Sequence, residues 1–249
     1  MKIEDIRTIG VMGGGVMGGG IAQVLATAGY KVILRDVSQE LLDRTRATIT
    51  DGRFGLRGGV ERGKINEAEM NEALSRITFT VDPAGLRDAD LLIEAIPEDL
   101  DLKRKVYAEL DSLIKPEAIF ATNTSGFAIA DVNQAVSRKD RFIGMHWFSP
   151  VVAMKLIELV YSPETSEETI ACLEAIGESA GKVTIRVKDA PGKYGFVANR
   201  IYFAAVAEAR KVLEEGVAST DDINKAMRFG FNWPAGPLEM AAGARKGWA

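Results

Sequence analysis

Gly13, Gly15 and Gly18 stand in the spacing G-x-G-x-x-G, inside an apolar run from Ile9 to Ala22. That spacing suits the pyrophosphate of a dinucleotide. The first glycine permits a tight turn, the second lets backbone approach phosphate, and the third lets a helix pack close to a strand. A helix expected to begin at Val16 and Met17 then points its N–H groups and positive dipole end at the anion. Asp36 ends the next apolar run, Lys31 to Asp36, 18 residues beyond Gly18. This is close to the roughly 20 residues expected of an acid that hydrogen-bonds an adenosine ribose. Its charge repels a 2′-phosphate and favours NAD over NADP, with Arg35 next door as a counter-signal. A plain strand-end or helix-capping acid would look the same.

His146 is the only histidine of the chain. Beside Trp147 and Phe148 it suits a packed core as readily as a catalytic site. It follows a predicted strand, however, and a second strand delivers Glu158 after a turn through Ser149 and Pro150. Adjacent strands would bring that carboxylate to the imidazole. A carboxylate on one ring nitrogen fixes the tautomer, orients the other nitrogen and raises basicity. Such a base takes the proton of an alcohol while hydride leaves the same carbon for a nicotinamide. Ser125 closes the turn Asn123-Thr124-Ser125 at the carboxyl end of a strand, the edge where ligands collect in open α/β sheets.

These groups need a frame to hold them. Short apolar runs alternate with helical patterns, which predicts a doubly wound, mainly parallel α/β sheet of the Rossmann type. Strands are expected over about 31–36, 77–80, 91–96, 118–122, 142–148, 155–160 and 182–187. Helices are expected over 16–28, 39–50 with Ser38 as cap, 98–114 and 167–180. The charged stretch 51–76 reads as partly helical, with a break near Gly58-Gly59. Residues 189–195, with Pro191, Gly192 and Gly195, read as a linker. Beyond them the pattern is helical only, with Thr220 expected to cap one helix. The expected division is a nucleotide domain over 1–188 and a small all-α domain over 189–249.

The chain has 249 residues, 47% hydrophobic and 27% charged, with a net charge of −4. That balance gives no drive toward nucleic acid or an anionic membrane. Cys172 is the sole cysteine, so no internal disulfide is expected, in keeping with a reducing setting. No apolar run approaches the roughly 18 residues of a membrane span. The first strand begins close to Met1, leaving no room for a leader peptide, so a cytoplasmic location is expected. No metal site is expected.

Longer matches sharpen the picture. Gly13 to Ala22, Ile93-Glu94-Ala95-Ile96-Pro97-Glu98, Thr122 to Ser125, Arg141 to Pro150, Met154 to Glu158, Phe196 to Arg200 and Gly236 to Glu239 together resemble the L-3-hydroxyacyl-CoA dehydrogenase family. The resemblance covers nearly the whole chain. It implies NAD as cofactor, a 3-hydroxyacyl-CoA substrate and a homodimer. It also implies His146 as base, Glu158 as its orienting acid, and Ser125 and Asn199 on the substrate oxygen. Glu94, Ala95, Glu98, Lys103 and Asn123 fall at positions the family places around the cofactor. For Glu98 and Lys103 a solvated helix start is the plain alternative, and for Ser125 and Asn199 an ordinary turn or helix-start residue. The basic stretch Arg53, Arg57, Arg62 and Lys64 corresponds to a helical excursion that helps bind the CoA nucleotide, or to a solvated face.

Three departures stand out. Ser149 replaces the asparagine of the usual His-Phe-Phe-Asn-Pro. Lys193-Tyr194-Gly195 interrupts the usual Pro-Gly-Phe at the domain junction and is expected to reshape the acyl pocket. The sequence ends at Ala249, before helices that typical members add. The expected reaction is oxidation of a short-chain 3-hydroxyacyl-CoA to its 3-keto product. A dehydrogenase of a free 3-hydroxy acid or sugar acid, or a dinucleotide-binding protein without turnover, are the alternatives.

Overall fold

The computed structural model describes residues 2–245. Among these, eight strands form one sheet in the order β3-β2-β1-β4-β5-β6-β7-β8. The strands are β1 (Thr8–Met12), β2 (Lys31–Arg35), β3 (Ile77–Thr80), β4 (Leu91–Glu94), β5 (Ile119–Thr122), β6 (Phe142–Trp147), β7 (Leu156–Tyr161) and β8 (Val183–Lys188). Every pairing is parallel except β6 with β7. β4 and β5 are buried along their whole length, as is β6. Continuous apolar runs are what strands covered on both faces require. β1 lies between β2 and β4, so the chain reverses its direction of travel there. Open α/β sheets bind ligands in the crevice at the carboxyl ends of the strands beside such a switch.

The helices follow the expected pattern. α1 (Val16–Thr27) leaves the glycine loop, and α2 (Gln39–Asp51) starts at Ser38, whose side chain accepts from the Leu41 N–H. α3 (Leu56–Glu61) and α4 (Glu67–Ser75) fill the charged stretch. Gly58 and Gly59 lie inside α3 instead of breaking it. The chain bends at Gly52, which caps α2, and at Gly55, whose N–H donates to the Gly52 carbonyl at 2.7 Å. α5 (Leu100–Leu113) is capped by Asp99, a short α6 (Ile129–Val132) follows β5, and α7 (Glu167–Ser179) is capped by Ser166.

The chain divides into two compact units, the first ending at Tyr194 and the second starting at Gly195. The division falls inside the linker, later than the expected 188/189 boundary, because linker residues are bound to the sheet unit. The Asp189 N–H donates to the Tyr161 carbonyl at 2.9 Å, and its carboxylate accepts from the Ala130 N–H at 2.9 Å. The second unit contains α8 (Val197–Glu214), α9 (Thr220–Gly230) and α10 (Pro237–Arg245). Ser219, not Thr220, caps α9, accepting from the Asp222 N–H at 3.2 Å. The buried Asn224 side chain clips the start of α10 by accepting from the Leu238 and Glu239 N–H groups.

Candidate active site

The glycine loop is built as its spacing requires. Gly13 has φ +100°, and a Cβ there would sit 2.7 Å from the Ala95 carbonyl oxygen. A Cβ on Gly18 would fall 1.8 Å from the Gly13 carbonyl oxygen, so strand and helix close up only because both lack side chains. The Ala95 N–H donates to the Met12 carbonyl at 2.8 Å and ties β4 to the loop. A side chain on Gly15 would meet nothing within 4 Å. That open space lies at the N-terminus of α1, where Val16 is 75% exposed and Met17 half-buried. An anion approaching there meets N–H groups and no obstructing carbon.

Asp36 stands beside this loop. Its Oδ2 accepts from the Gly14 N–H and its Oδ1 from the Val37 N–H, both at 2.5 Å. The carboxylate therefore braces the turn as well as facing the rim. Arg35 points elsewhere, its Nε donating to the Val81 carbonyl at 3.2 Å. Val37, Leu41 and Val81 are exposed apolar side chains near the ends of β2 and β3. Val37 and Val81 follow the paired strand ends Arg35 and Thr80, and sequence reasoning missed them as apolar neighbours of the acid. The signal was a valine directly after the acid. Open space at Gly15, a helix N-terminus and an adjacent carboxylate together fit a dinucleotide with an unsubstituted ribose.

The second cluster lies at the carboxyl ends of β4, β5 and β6. His146 and Glu158 face each other directly in the β6–β7 register. Nδ1 of His146 lies 2.8 Å from Oε2 of Glu158, with residue exposures of 3% and 0%. An antiparallel pair joined by a short turn places opposed side chains on the same face. Asn123 has a part not foreseen: its Oδ1 accepts from the Trp147 backbone N–H at 2.9 Å. Ser125 is half-buried, and its N–H donates to Oε1 of Glu98 at 2.9 Å. The same oxygen accepts from the Thr124 hydroxyl at 2.6 Å.

Lys103 is not a solvated charge, because only 1% of it is exposed. Its Nζ lies 2.6 Å from Glu94 Oε1 and 3.3 Å from Glu98 Oε2. Glu94 is fully buried and also accepts from the Thr122 hydroxyl and the Ile96 N–H. This ammonium thus joins the end of β4 to the loop carrying Ser125. Asn199 lies half-buried in the first turn of α8, within the helical unit.

A cavity of about 700 Å³ opens on the same sheet unit, lined by Arg53, Arg62, Lys64, Lys155 and Lys182 beside apolar Phe54 and Val152. Arg57 is elsewhere, paired with Asp51 at 2.5 Å. Lys182 was missed from sequence. Its buried Nζ donates to the Val151 and Met154 carbonyls at 2.6 and 2.7 Å, fixing the turn between His146 and Glu158. Burial pushes its ammonium below the usual lysine range, and Lys155 nearby adds to the shift. Among the described residues no group of three or more His, Cys, Asp or Glu side chains is arranged to hold a metal ion. No helix there is long and apolar enough to cross a membrane.

Comparison with known proteins supplies the context. The family model described as "3-hydroxyacyl-CoA dehydrogenase, NAD binding domain" matches residues 8–190, and that described as "3-hydroxyacyl-CoA dehydrogenase, C-terminal domain" matches residues 195–244. A probable 3-hydroxybutyryl-CoA dehydrogenase of Deinococcus radiodurans is 40% identical over 93% of this chain and 81% of its own length. A 3-hydroxybutyryl-CoA dehydrogenase of Clostridioides difficile is 38% identical over 93% of this chain and 80% of its own. The crystal structure of (S)-3-hydroxybutyryl-CoA dehydrogenase PaaH1 from Ralstonia eutropha superposes with a TM-score of 0.90 at 40% identity, covering 95% of this chain and 81% of that one.

Proposed function

The chain belongs to the 3-hydroxyacyl-CoA dehydrogenase family, an NAD-dependent group of oxidoreductases, and from that premise we propose that it oxidises the 3-hydroxyl of a short-chain L-3-hydroxyacyl-CoA. The observation carrying the proposal is the buried contact between His146 and Glu158 at the carboxyl edge of the sheet. NAD, when bound, supplies the hydride acceptor. Glu158 holds the Nδ1–H of the neutral imidazole and aims Nε2 at the substrate hydroxyl. His146 takes the hydroxyl proton as the carbonyl forms, and Glu158 then faces an imidazolium, whose charge it stabilises. In reduction the same imidazolium returns the proton to the forming alkoxide. The Ser125 hydroxyl and the Asn199 amide donate to the substrate oxygen as its charge changes.

Gly13, Gly15, Val16, Met17 and Gly18 receive the pyrophosphate and Asp36 the adenosine ribose. Glu94, Ala95, Glu98, Lys103 and Asn123 shape the nicotinamide side. The basic cavity supports a CoA thioester over a free acid, since Arg53, Arg62 and Lys64 match the charge of the CoA phosphates.

The protein acts in the cytoplasm as a homodimer with no nucleic-acid or membrane partner. The dimer is supported by exposed apolar side chains on the helical unit, including Ile201, Phe203, Phe229 and Phe231. Mass photometry tests this, and a monomer at micromolar concentration overturns it. The activity is tested by NADH formation from 3-hydroxyacyl-CoAs of increasing length, with free 3-hydroxy acids in parallel. Turnover confined to free acids removes the CoA assignment, and silence on every substrate with intact NADH binding leaves a binding protein.

A further inference from the structure

The insertion Lys193-Tyr194-Gly195 places a large side chain at the substrate edge of the sheet unit. Tyr194 is 63% exposed, yet its ring has a partner. Its ring meets Phe127 edge-on, with centroids 6.1 Å apart and planes at 86°. Its hydroxyl faces the Glu98 carboxylate. Burial and that facing carboxylate raise the phenol above its usual range, so the hydroxyl stays a protonated donor. Glu98 is in turn the acceptor for Thr124 and for the Ser125 N–H, and it lies 3.3 Å from Lys103. One carboxylate therefore connects the inserted tyrosine to the loop that carries Ser125.

An edge-on aromatic pair is favoured beyond its area burial, because the positive ring edge meets the negative ring face. A tyrosine left loose on the surface would have no such contact. Its partner Phe127 stands two residues from Ser125, whose hydroxyl is assigned to the reacting oxygen. An apolar wall beside a substrate discriminates by length, each methylene changing kcat/KM by about 10–200-fold.

We propose that Tyr194, braced by Phe127, is a specificity-determining wall of the acyl site that limits the substrate to short chains. This rests on the reading of the protein as a 3-hydroxyacyl-CoA dehydrogenase. Phe127 supports the ring, and Glu98, which the phenol faces, accepts from the Ser125 N–H. The phenol takes no part in proton transfer.

The test compares kcat/KM for 3-hydroxybutyryl-CoA and 3-hydroxydecanoyl-CoA in wild type, Tyr194→Ala, Tyr194→Phe and a deletion of residues 193–195. NADH affinity is measured alongside by fluorescence. The wild type prefers the short chain. Tyr194→Ala and the deletion shift the long-to-short ratio toward the long chain by at least tenfold, and Tyr194→Phe shifts it less because the ring remains. Wild-type turnover with a ratio unmoved by Tyr194→Ala overturns the inference alone. A loss of NADH affinity with no change in ratio assigns Tyr194 to the cofactor side and also overturns it. Wild-type silence on both thioesters overturns the functional reading and this inference with it. Should the deletion fail to fold, the two point variants decide the matter.

Discussion

The side-chain oxygen of Asn123 accepts the backbone N–H of Trp147 at 2.9 Å. This fixes the position next to His146 from the β5 side, while Glu158 holds the imidazole from the β7 side. The Lys182 ammonium ties down the connecting turn through two carbonyls. His146 is thus set by three neighbouring strands. For the role of base proposed above, a side chain positioned by regular structure needs no rearrangement, which is the preorganisation that proton transfer rewards.

From this pairing the cost of removing each partner differs. His146→Gln deletes the base and lowers kcat with 3-hydroxybutyryl-CoA by about 10³-fold, inside the 10²–10⁴ range for general acid–base catalysis. Glu158→Gln keeps the shape but not the charge, and permits the other tautomer. It lowers kcat by about 10²-fold, while NADH affinity changes little in either variant. Stopped-flow turnover and fluorescence titration check both. A Glu158→Gln enzyme with wild-type kcat would remove the orienting role.

In the proposed reading Asp36 sets the choice of dinucleotide. Its carboxylate lies at the loop, while the neighbouring Arg35 is engaged with the Val81 carbonyl. Asp36→Ser removes the charge that repels a 2′-phosphate and keeps a small acceptor. The ratio of kcat/KM for NAD over NADP falls by about 10–100-fold, as expected for a charge-assisted hydrogen bond worth about 1.5–3 kcal/mol. The ratio is read from initial rates with each cofactor. An unchanged preference would place discrimination at another residue.

The strands and the His146–Glu158 pair were legible in sequence because both rest on period and order. Apolar runs between helical patterns predict a parallel sheet, and two runs joined by a short turn predict opposed partners. Lys182 was not legible, since its acceptors are the Val151 and Met154 carbonyls and a carbonyl has no residue type. Lys103 reads as a surface lysine near the start of α5, and only the strand beneath it reveals the buried Glu94. Gly58-Gly59 looked like a helix break, yet α3 runs through it and Gly59 packs against Ile65. Tertiary packing outweighed a propensity cost of about 1 kcal/mol per glycine. The unit boundary moved past Lys188 because the linker hydrogen-bonds back to the sheet unit through Asp189.

Acid sensitivity should trace to Asp90. Burial works to raise its pKa, but Lys115 and the N–H groups of Thr8 and Arg7 together hold it below the ordinary carboxylate value. Those two N–H groups lie 2.8 Å from Oδ2. The stabilisation is complete above the unfolded pKa of about 3.9 and is lost as pH falls through the folded value. Asp111, with Ser137 and Arg138 outweighing burial, acts in the same direction. Asp90→Asn costs about 1–2 kcal/mol at pH 7 and narrows the difference in urea midpoint between pH 7 and pH 3. An unchanged difference would assign the acid transition elsewhere.

Lys103 carries the largest structural penalty. With its ammonium 2.6 Å from the fully buried Glu94, Lys103→Met strands that carboxylate with only the Thr122 hydroxyl and the Ile96 N–H. Removing one member of a buried pair costs about 3–5 kcal/mol, because an uncompensated charge is left behind. Replacing both, as Lys103→Met with Glu94→Leu, recovers most of that loss, since the desolvated charges go together. Glu98 also loses its ammonium neighbour in the single variant, so the Ser125 loop loosens and the KM for thioester rises in addition. Urea denaturation of the single and double variants measures the first effect and initial rates the second. A single variant as stable as the wild type would mean that the ammonium adds nothing to the burial of Glu94.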